Sequence, residues 1–239
     1  MNINRPSYVV LFTALVTVAF TAAVMTVQVA AENKIHQNEA LRYEKAVVRL
    51  FGLGDVEKLI ASQIARIVQD RIETGPEVSD PQTGQRFELI RTYRSDKQPP
   101  QARSEADLLG IAFQISGNGF WAPITTLMAM KPDLSQVIGV VFLDNKETPG
   151  LGGRITEKWF EDQFQGLKFI PLAAGGKYIY ISREKPEGPD DPRYGRSVDA
   201  ITGATQTSLA VEKFMNRNLE QFIRAMQAGP VQDSKQTKN

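Results

Sequence analysis

The longest apolar segment of the chain lies close to its start. Residues 7–31 contain no charged side chain and are dominated by Val, Leu, Phe, Ala and Thr. At a rise of about 1.5 Å per residue, a helix of this length crosses a hydrocarbon core of about 30 Å. We therefore predict a transmembrane anchor over residues 1–31. The alternative is a cleaved signal peptide ending at Val29-Ala30-Ala31, which is disfavoured because the apolar region of a signal peptide is usually only about 7–15 residues long.

After the anchor, apolar positions recur at helical spacing as far as about Thr74. Asp55 can begin a helix after Gly54, and Gly75-Pro76 is expected to end it. The apolar side chains that fall on one face of this helix are Val56, Leu59, Ile60, Ile64, Ile67, Val68 and Ile72. We predict residues 32–75 as a helical connector, or the helical part of the soluble domain, with its apolar face packed on the domain or on a neighbouring subunit.

Between residues 76 and 228, short apolar runs bounded by turn residues predict strands, and amphipathic segments predict helices. The predicted strands are residues 86–93, 108–116, 124–130, 137–143, 168–171 and 177–182, with turns or loops at 81–84, 95–104, 117–119, 131–135 and 183–196. The predicted helices are residues 157–164 and a long helix from Thr205 or Thr207 to about Gln227. This order favours an α+β domain with a mainly antiparallel sheet flanked by helices, followed by a flexible tail over residues 229–239.

Composition removes several classes of function. The 28 basic and 27 acidic residues leave a net charge of +1, so nothing indicates nucleic-acid binding. The chain has no cysteine, which excludes disulfides, thiol nucleophiles and cysteine-ligated iron–sulfur clusters. His36 is the only histidine, so we expect no metal site, and no residue has the pattern of a catalytic base or nucleophile. Any redox chemistry must therefore be carried by an organic group.

A Ser/Thr/Gly-rich stretch precedes the long C-terminal helix. Residues 199–208 read Asp-Ala-Ile-Thr-Gly-Ala-Thr-Gln-Thr-Ser. On its own such a stretch is usually only a helix cap, with Thr202 or Thr205 as the capping hydroxyl. Gly203 and Ala204 carry almost no side chain, however, so an anion can lie on the backbone amides at the positive end of the helix dipole.

A second stretch, Asn145 to Gly153, follows a predicted strand and contains Glu-Thr-Pro-Gly-Leu-Gly from Glu147 to Gly152. Together the two stretches resemble the FMN-binding domain of two related membrane proteins, RnfG of the Rnf-type ferredoxin:NAD oxidoreductase and NqrC of the sodium-translocating NADH:quinone oxidoreductase. The flavinylation signature of that family, Asp-x-x-Ser/Thr-Gly-Ala-Thr, is matched without a gap from Asp199 to Thr205. The resemblance covers about residues 105–225 and the membrane anchor.

The resemblance implies that FMN is attached through its phosphate to the hydroxyl of Thr205, as a phosphoester. A separate flavin transferase that uses FAD is expected to make this bond, with Asp199 as part of the signature it recognises. The residues expected to line the phosphate end are Thr202, Gly203, Ala204 and Thr207. The loop residues expected to wrap the flavin are Glu147, Thr148, Gly150, Leu151 and Gly152, and the two glycines of that loop permit close backbone approach. Trp121 is a further candidate for lining the site, and a core or interface position is its alternative.

The resemblance thus implies a membrane-anchored electron carrier within a multi-subunit complex, not an enzyme complete in itself. It places the domain on the extracytoplasmic side of a bacterial inner membrane, although the distribution of Lys and Arg around the apolar run slightly opposes that orientation. The expected partners are the membrane subunits of the complex and the flavin transferase. The sequence does not choose between the Rnf and the NADH:quinone complex. The alternatives are a membrane-anchored binding or scaffold domain without a cofactor, and a stand-alone flavoprotein of another electron chain.

Overall fold

The fold was analysed in a computed structural model that describes residues 6–94, 104–169 and 176–231. The chain forms two compact units, Met1–Tyr43 and Glu44–Asn239. The helices are α1 (Pro6–Leu50), α2 (Ala61–Arg71), α3 (Lys158–Glu161) and α4 (Thr205–Ala228), with short 3₁₀ segments at Glu105–Asp107, Gly152–Thr156 and Asp162–Phe164. The strands are β1 (Ile72–Ser79), β2 (Arg86–Tyr93), β3 (Leu108–Asn118), β4 (Pro123–Met130), β5 (Val137–Asp144), β6 (Tyr180–Ser182) and β7 (Ser197–Asp199). The C-terminal tail predicted from residue 229 lies outside the described residues beyond Val231.

The described part of the N-terminal unit is helix α1 as far as Tyr43. Its mean hydropathy reaches 2.2, and the helix is long and apolar enough to cross a membrane by length and composition. Large apolar side chains such as Val10 and Phe20 are about 70% exposed along it. Thr26 donates its hydroxyl to the carbonyl oxygen of Ala22 at 2.8 Å, so this polar group is satisfied within the helix. The predicted N-terminal apolar helix is confirmed.

The C-terminal unit is built on a five-stranded antiparallel sheet in the order β1-β2-β3-β4-β5. Each strand pairs with its sequence neighbour, as expected for short apolar segments joined by tight turns. The α+β fold with an antiparallel sheet and helices is confirmed. One turn is displaced from its prediction, because β3 continues to Asn118 and the chain reverses over residues 119–122. There the N–H of Gly119 donates to the carbonyl oxygen of Ala122 at 2.8 Å.

Both faces of the sheet are covered by apolar side chains. On one face α4 packs its Phe222 ring against Phe113, with centroids 3.6 Å apart and planes at 10°, and Phe87 meets both rings edge-on. Burying an aromatic side chain of this size stabilises a fold by roughly 1.5–3 kcal/mol. The other face is covered by residues at and just after the end of α1, which are Ala46, Val47, Leu50 and Phe51. The core thus holds α4, and with it the Thr-rich stretch at its start, in a fixed position on the sheet.

The helix predicted from Glu32 to about Thr74 is wrong over part of its length. The first helix ends at Leu50, residues 51–60 form turns, and α2 ends at Arg71. From Ile72 the chain is strand β1, paired with β2, and Gly75-Pro76 lies at an irregularity of that pairing and not at a helix end. An edge strand accepts a proline because one side of it has no partner. Tertiary pairing here overrides the helical spacing of the apolar residues.

A small parallel pair of strands leads into the Thr-rich stretch. Strand β6 pairs with β7, and Ser182 lies opposite Asp199. The β7 segment was not among the predicted strands, since three residues inside a charged loop give no periodic signal. Of the strand predicted over residues 168–171, Lys168 forms an isolated bridge with Gln136, and the last two residues lie outside the described part of the chain. The loop predicted over residues 95–104 also lies outside it except for Ser104.

Candidate functional site

The Thr-rich stretch forms a tight turn that leads into α4. The carbonyl oxygen of its buried Ile201 accepts the backbone N–H of Ala204 at 3.1 Å, and Gly203 adopts a φ of +84° that favours glycine. The helix begins at Thr205, and the residue at its N-cap is Ala204, without a side-chain capping bond. The prediction that Thr202 or Thr205 caps the helix is therefore wrong. Neither hydroxyl forms the side-chain hydrogen bond that would cap the start of α4.

Ser208 holds this turn against the helix. Its hydroxyl donates to the carbonyl oxygen of Ala204 at 3.0 Å and accepts the N–H of Ile201 at 3.1 Å. In a helix, a serine hydroxyl commonly donates to the carbonyl oxygen four residues earlier. The spacing between Ala204 and Ser208 is therefore the feature of the sequence from which this hydrogen bond could be predicted. Ser208 was not among the predicted site residues.

The first turn of α4 leaves donors unused. Among the described residues, no acceptor is hydrogen-bonded to the backbone N–H of Thr205, Gln206 or Thr207. The Thr205 side chain is exposed, and its hydroxyl has no hydrogen-bond partner within the same residues. Free amides at a helix start favour an anion, because the N–H groups and the helix dipole both point toward it.

The Glu-Thr-Pro-Gly-Leu-Gly loop after β5 folds back on itself. The carbonyl oxygen of Thr148 accepts the N–H groups of Leu151 and Gly153 at 3.1 and 3.0 Å. Gly150 supplies the positive φ of +74° that this reversal needs. As a result the side chain of Leu151 stands outward, 46% exposed, over Gly203 of the other loop.

The two loops and the β3–β4 turn line an open cavity of about 340 Å³. Its lining residues are Phe120, Trp121, Glu147, Thr148, Leu151, Gly152, Gly203, Ala204, Thr205, Gln206 and Thr207. Nine of the twelve predicted site residues thus line one cavity, although they lie far apart in the sequence. Phe120 and Gln206 were not among them; each adjoins a residue that was.

Trp121 reaches this cavity from the β3–β4 turn. Its ring is 67% exposed and meets the ring of Phe120 in a T-shaped contact with centroids 4.9 Å apart. Its backbone N–H donates to Oε1 of Glu147 at 2.9 Å. The core alternative for Trp121 is excluded by this exposure. The cavity therefore has an aromatic rim beside the buried carboxylate of Glu147.

Three predicted site residues lie outside the lining of the cavity. Gly150 shapes the loop, and the exposed Thr202 lies in the turn before Gly203. Asp199 ends β7 with its carboxylate exposed, 3.9 Å from Nζ of Lys185. The backbone N–H of Asp199 donates to Oε1 of Gln163 at 2.8 Å, a contact that no sequence motif announces. The signature aspartate is thus presented to the surface and not to the cavity.

Comparison with known proteins identifies proteins that part of this chain is similar to. Residues 119–220 match the family model described as the FMN-binding domain. Curated relatives include the NqrC protein of the Na⁺-translocating NADH-quinone reductase from Chlamydia trachomatis, 28% identical over 51% of this chain and 42% of its own length. The corresponding protein from Neisseria meningitidis serogroup B is 27% identical over 66% of each chain. In the case of Chlamydia trachomatis the aligned region is thus less than half of the relative.

A solved structure agrees with the fold. The crystal structure of the NqrC protein of the Na⁺-translocating NADH-quinone reductase from Parabacteroides distasonis superposes with a TM-score of 0.62, covering 87% of this chain and 98% of that one. At 18% identity this likeness concerns the fold alone. The matched segment 119–220 contains the β3–β4 turn, both loops and the start of α4. Residues 119–220, which contain both motifs, are thus similar to the FMN-binding domain family.

Proposed function

We propose that this protein is a membrane-anchored electron-transfer subunit that carries FMN as a phosphoester on Thr205. The observation that carries the proposal is the position of the Thr205 hydroxyl, exposed and without a partner among the described residues, at the edge of the cavity formed by both family motifs. The apolar run at residues 7–31 would anchor the domain in the inner membrane, with the flavin on the extracytoplasmic side. The anchor then keeps the cofactor near its donors and acceptors.

The residues of the cavity fit FMN. A volume of about 340 Å³ lies within the range of about 300–1,000 Å³ typical of small-molecule sites. The unused amides of residues 205–207 are suited to the phosphate, and the outward side chains of Trp121 and Leu151 are suited to the apolar faces of the ring system. Gly152 lies so close to Thr207 that a side chain there would fill the space between the loops.

The surroundings of the threonines support Thr205 over Thr207 as the attachment residue. Thr207 is 3% exposed, and its hydroxyl donates to Oε2 of Glu147 at 2.7 Å. It would have to break this bond and leave the interior to react. Thr202 is exposed but does not line the cavity. Thr205 alone of the three combines exposure with a place at the cavity.

The proposed attachment is a displacement at phosphorus. The hydroxyl oxygen of Thr205 forms an ester bond to the FMN phosphorus of FAD, the bond from that phosphorus to the bridging oxygen breaks, and AMP leaves. No carboxylate or histidine contacts this hydroxyl among the described residues, so the transferase must accept its proton. The exposed carboxylate of Asp199 is available for the transferase to recognise.

Once bound, FMN supplies one- and two-electron chemistry, while the protein fixes its position and its access to partners. The relatives are named as a subunit of a Na⁺-translocating NADH-quinone reductase, which supports a complex of that type over an Rnf complex. The other membrane subunits of such a complex are the proposed partners. Co-purification of those subunits with this chain tests the choice, since Rnf subunits in their place contradict it.

Covalent attachment is tested by co-expression with a flavin transferase and separation on a denaturing gel. We expect a flavin-fluorescent band for the natural chain and for Thr205→Ser, and no band for Thr205→Ala. Thr74→Ala is the control, because it removes an exposed threonine hydroxyl outside both motifs and should leave the band intact. Mass spectrometry should find the Thr205 peptide heavier by FMN less one water. A labelled Thr205→Ala protein contradicts the assignment, and an unlabelled natural chain favours a domain without a cofactor.

A further inference from the structure

We propose that Glu147 is a positioning residue that ties together the three segments of the cavity and so aims Thr205 at it. The three segments are the β3–β4 turn, the loop after β5 and the first turn of α4. The consequence for flavin attachment rests on the function proposed above. The positioning itself can be measured in the protein without flavin.

The carboxylate of Glu147 contacts both of the other segments. Oε1 accepts the backbone N–H of Trp121 at 2.9 Å, and Oε2 accepts the hydroxyl of Thr207 at 2.7 Å. The N–H of Glu147 itself donates to Oδ1 of Asn145 at 3.1 Å, which fixes the start of its own loop. One side chain therefore links residues that lie 26 positions before it and 60 positions after it.

The backbone on both sides of this carboxylate is shaped to admit it. A Cβ on Gly119 would lie 2.5 Å from Oε1 of Glu147, and a Cβ on Gly152 would lie 2.7 Å from Oε2. Any side chain at either position would displace the carboxylate. The two glycines thus let the backbone of the β3–β4 turn and of the loop after β5 come close to the two carboxylate oxygens of Glu147.

Glu147 differs from the other buried acids of the described chain. Asp80, Glu161 and Glu212 are each paired with a cation, namely Arg224, Arg49 and Lys177. Glu147 is 6% exposed and has no cation within ion-pair distance among the described residues. Burying a carboxylate without a counter-ion is costly unless hydrogen bonds satisfy it, so the N–H of Trp121 and the hydroxyl of Thr207 are held strongly in place.

The bond to Thr207 carries this restraint to the attachment residue. Thr207 lies in the first turn of α4, two positions after Thr205, so fixing one fixes the direction of the other. Thr207 then acts by holding the helix start, and its hydroxyl is not free to line the phosphate. Loss of the Glu147 carboxylate should leave both the Trp121 turn and the helix start less well defined.

The test uses a Trp159→Phe background, in which Trp121 is the only tryptophan. We expect Glu147→Ala, without flavin, to lower the fluorescence anisotropy of Trp121 and to increase its quenching by acrylamide. Glu147→Gln is the matched control, because its amide can accept the Trp121 N–H and donate to the Thr207 oxygen.

With a flavin transferase and FAD, Glu147→Ala and Thr207→Val should be loaded about tenfold more slowly, equivalent to about 1.4 kcal/mol. Thr207→Ser and Glu147→Gln should load at nearly the natural rate.

The outcomes separate this proposal from the proposed function. If Glu147→Ala keeps the anisotropy and loading rate of the parent while Thr205 is still labelled, the positioning role is overturned and the flavin function stands. If no variant is labelled, the flavin function fails, but the Trp121 measurement still decides the positioning role. Equal losses in Glu147→Gln and Glu147→Ala contradict positioning through hydrogen bonds. If Glu147→Ala does not fold, the comparison of Thr207→Val with Thr207→Ser decides in its place.

Discussion

At the scale of single residues, Gly152 lies where the loop after β5 comes close to Thr207 at the start of α4. A Cβ built on it falls too close to Oγ1 of Thr207 for any real contact, and 2.7 Å from Oε2 of Glu147. Its backbone is buried, so the added atom has no open space to enter. The glycine is thus required by the approach of the loops and not by a left-handed φ.

We expect Gly152→Ala to lower the free energy of unfolding by about 1–3 kcal/mol, because overpacking forces the neighbouring atoms apart. The same change should slow flavin loading, since it separates Glu147 from Thr207. Urea unfolding of the protein without flavin measures the first effect. Gly188→Ala is the control, with no atom within 4 Å of the added Cβ and an expected change within about 0.5 kcal/mol. Equal stability of the two variants would disprove the crowding argument.

The sequence predicted the residues of the site but not the hydrogen bonds between them. The motif residues were found because their order in the chain matches a family signature, and the cavity brings most of them together. The hydrogen bond from Thr207 to Glu147 spans 60 positions and leaves no periodic or compositional trace. The sequence could therefore name residues that line the cavity, and the family signature singled out Thr205. It could not show that the hydroxyl of Thr207 is held by Glu147.

At the scale of secondary-structure elements, Glu161 joins three segments of the C-terminal unit. It lies in α3, accepts the N–H of Phe142 in β5 at 2.9 Å, and pairs with Arg49 near the end of α1 at 2.6 Å. Burial raises the pKa of Glu161 to about 7 from its ordinary value of 4.5, although the Phe142 N–H and the Arg49 charge oppose the rise. Asp162 and Lys158 act on this pKa with opposite signs.

This pKa predicts a fall in stability with rising pH. A raised carboxyl pKa means that the folded state binds more protons than the unfolded state between about pH 4.5 and 7. The stabilising effect of the protonated Glu161 is therefore complete below about pH 4.5 and is lost as the pH rises through about 7. We expect the free energy of unfolding to fall by about 1–3 kcal/mol between pH 5 and pH 8. Glu161→Gln should flatten this dependence, and urea unfolding across the range measures it.

Asp80 affects the free energy of unfolding in the opposite direction and over a lower range of pH. Its hydrogen bonds with Arg224 hold the pKa of its carboxyl well below the ordinary range. Such a group stabilises the fold above about pH 4 and loses its effect only as the pH falls further. Above pH 5 the titration of Asp80 therefore does not contribute to the change in the free energy of unfolding. A Glu161→Gln protein that keeps the full pH dependence of the natural chain would rule out Glu161 as its source.

The elements themselves were predictable where the spacing of apolar residues was unambiguous. Strands β2, β4 and β5 and helix α4 lie within a few residues of their predictions. The failure at β1 has a clear cause, since Val68 and Ile72 are four residues apart, which suits a helix, while pairing with β2 decides the actual structure. Strand β7 is too short to produce a pattern, although it delivers Asp199 to the surface.

At the scale of the whole molecule, the boundary between the two units does not coincide with the end of a helix. The C-terminal unit begins at Glu44, while α1 continues to Leu50. Ala46, Val47, Leu50 and Phe51 cover the face of the sheet opposite α4. The last turns of α1 are therefore part of the core of the C-terminal unit.

This division predicts different outcomes for two truncated chains. A chain that begins at Glu44 keeps all four apolar residues, lacks the apolar run, and should be recovered in the soluble fraction with its fold intact. A chain that begins at Leu53 loses them together with Arg49. It should be destabilised by at least several kcal/mol, because removing a single buried Leu or Phe side chain typically costs about 2–5 kcal/mol. Thermal unfolding of the two chains measures the difference, and the intact chain, recovered with membranes, provides the reference.

Equal melting temperatures for the two truncated chains would mean that residues 46–51 only rest on a sheet that is stable without them. A lower melting temperature for the shorter chain would mean instead that the last turns of α1 fold together with the rest of the C-terminal unit. This part of the helix is then needed for the stability of the unit that holds the candidate site.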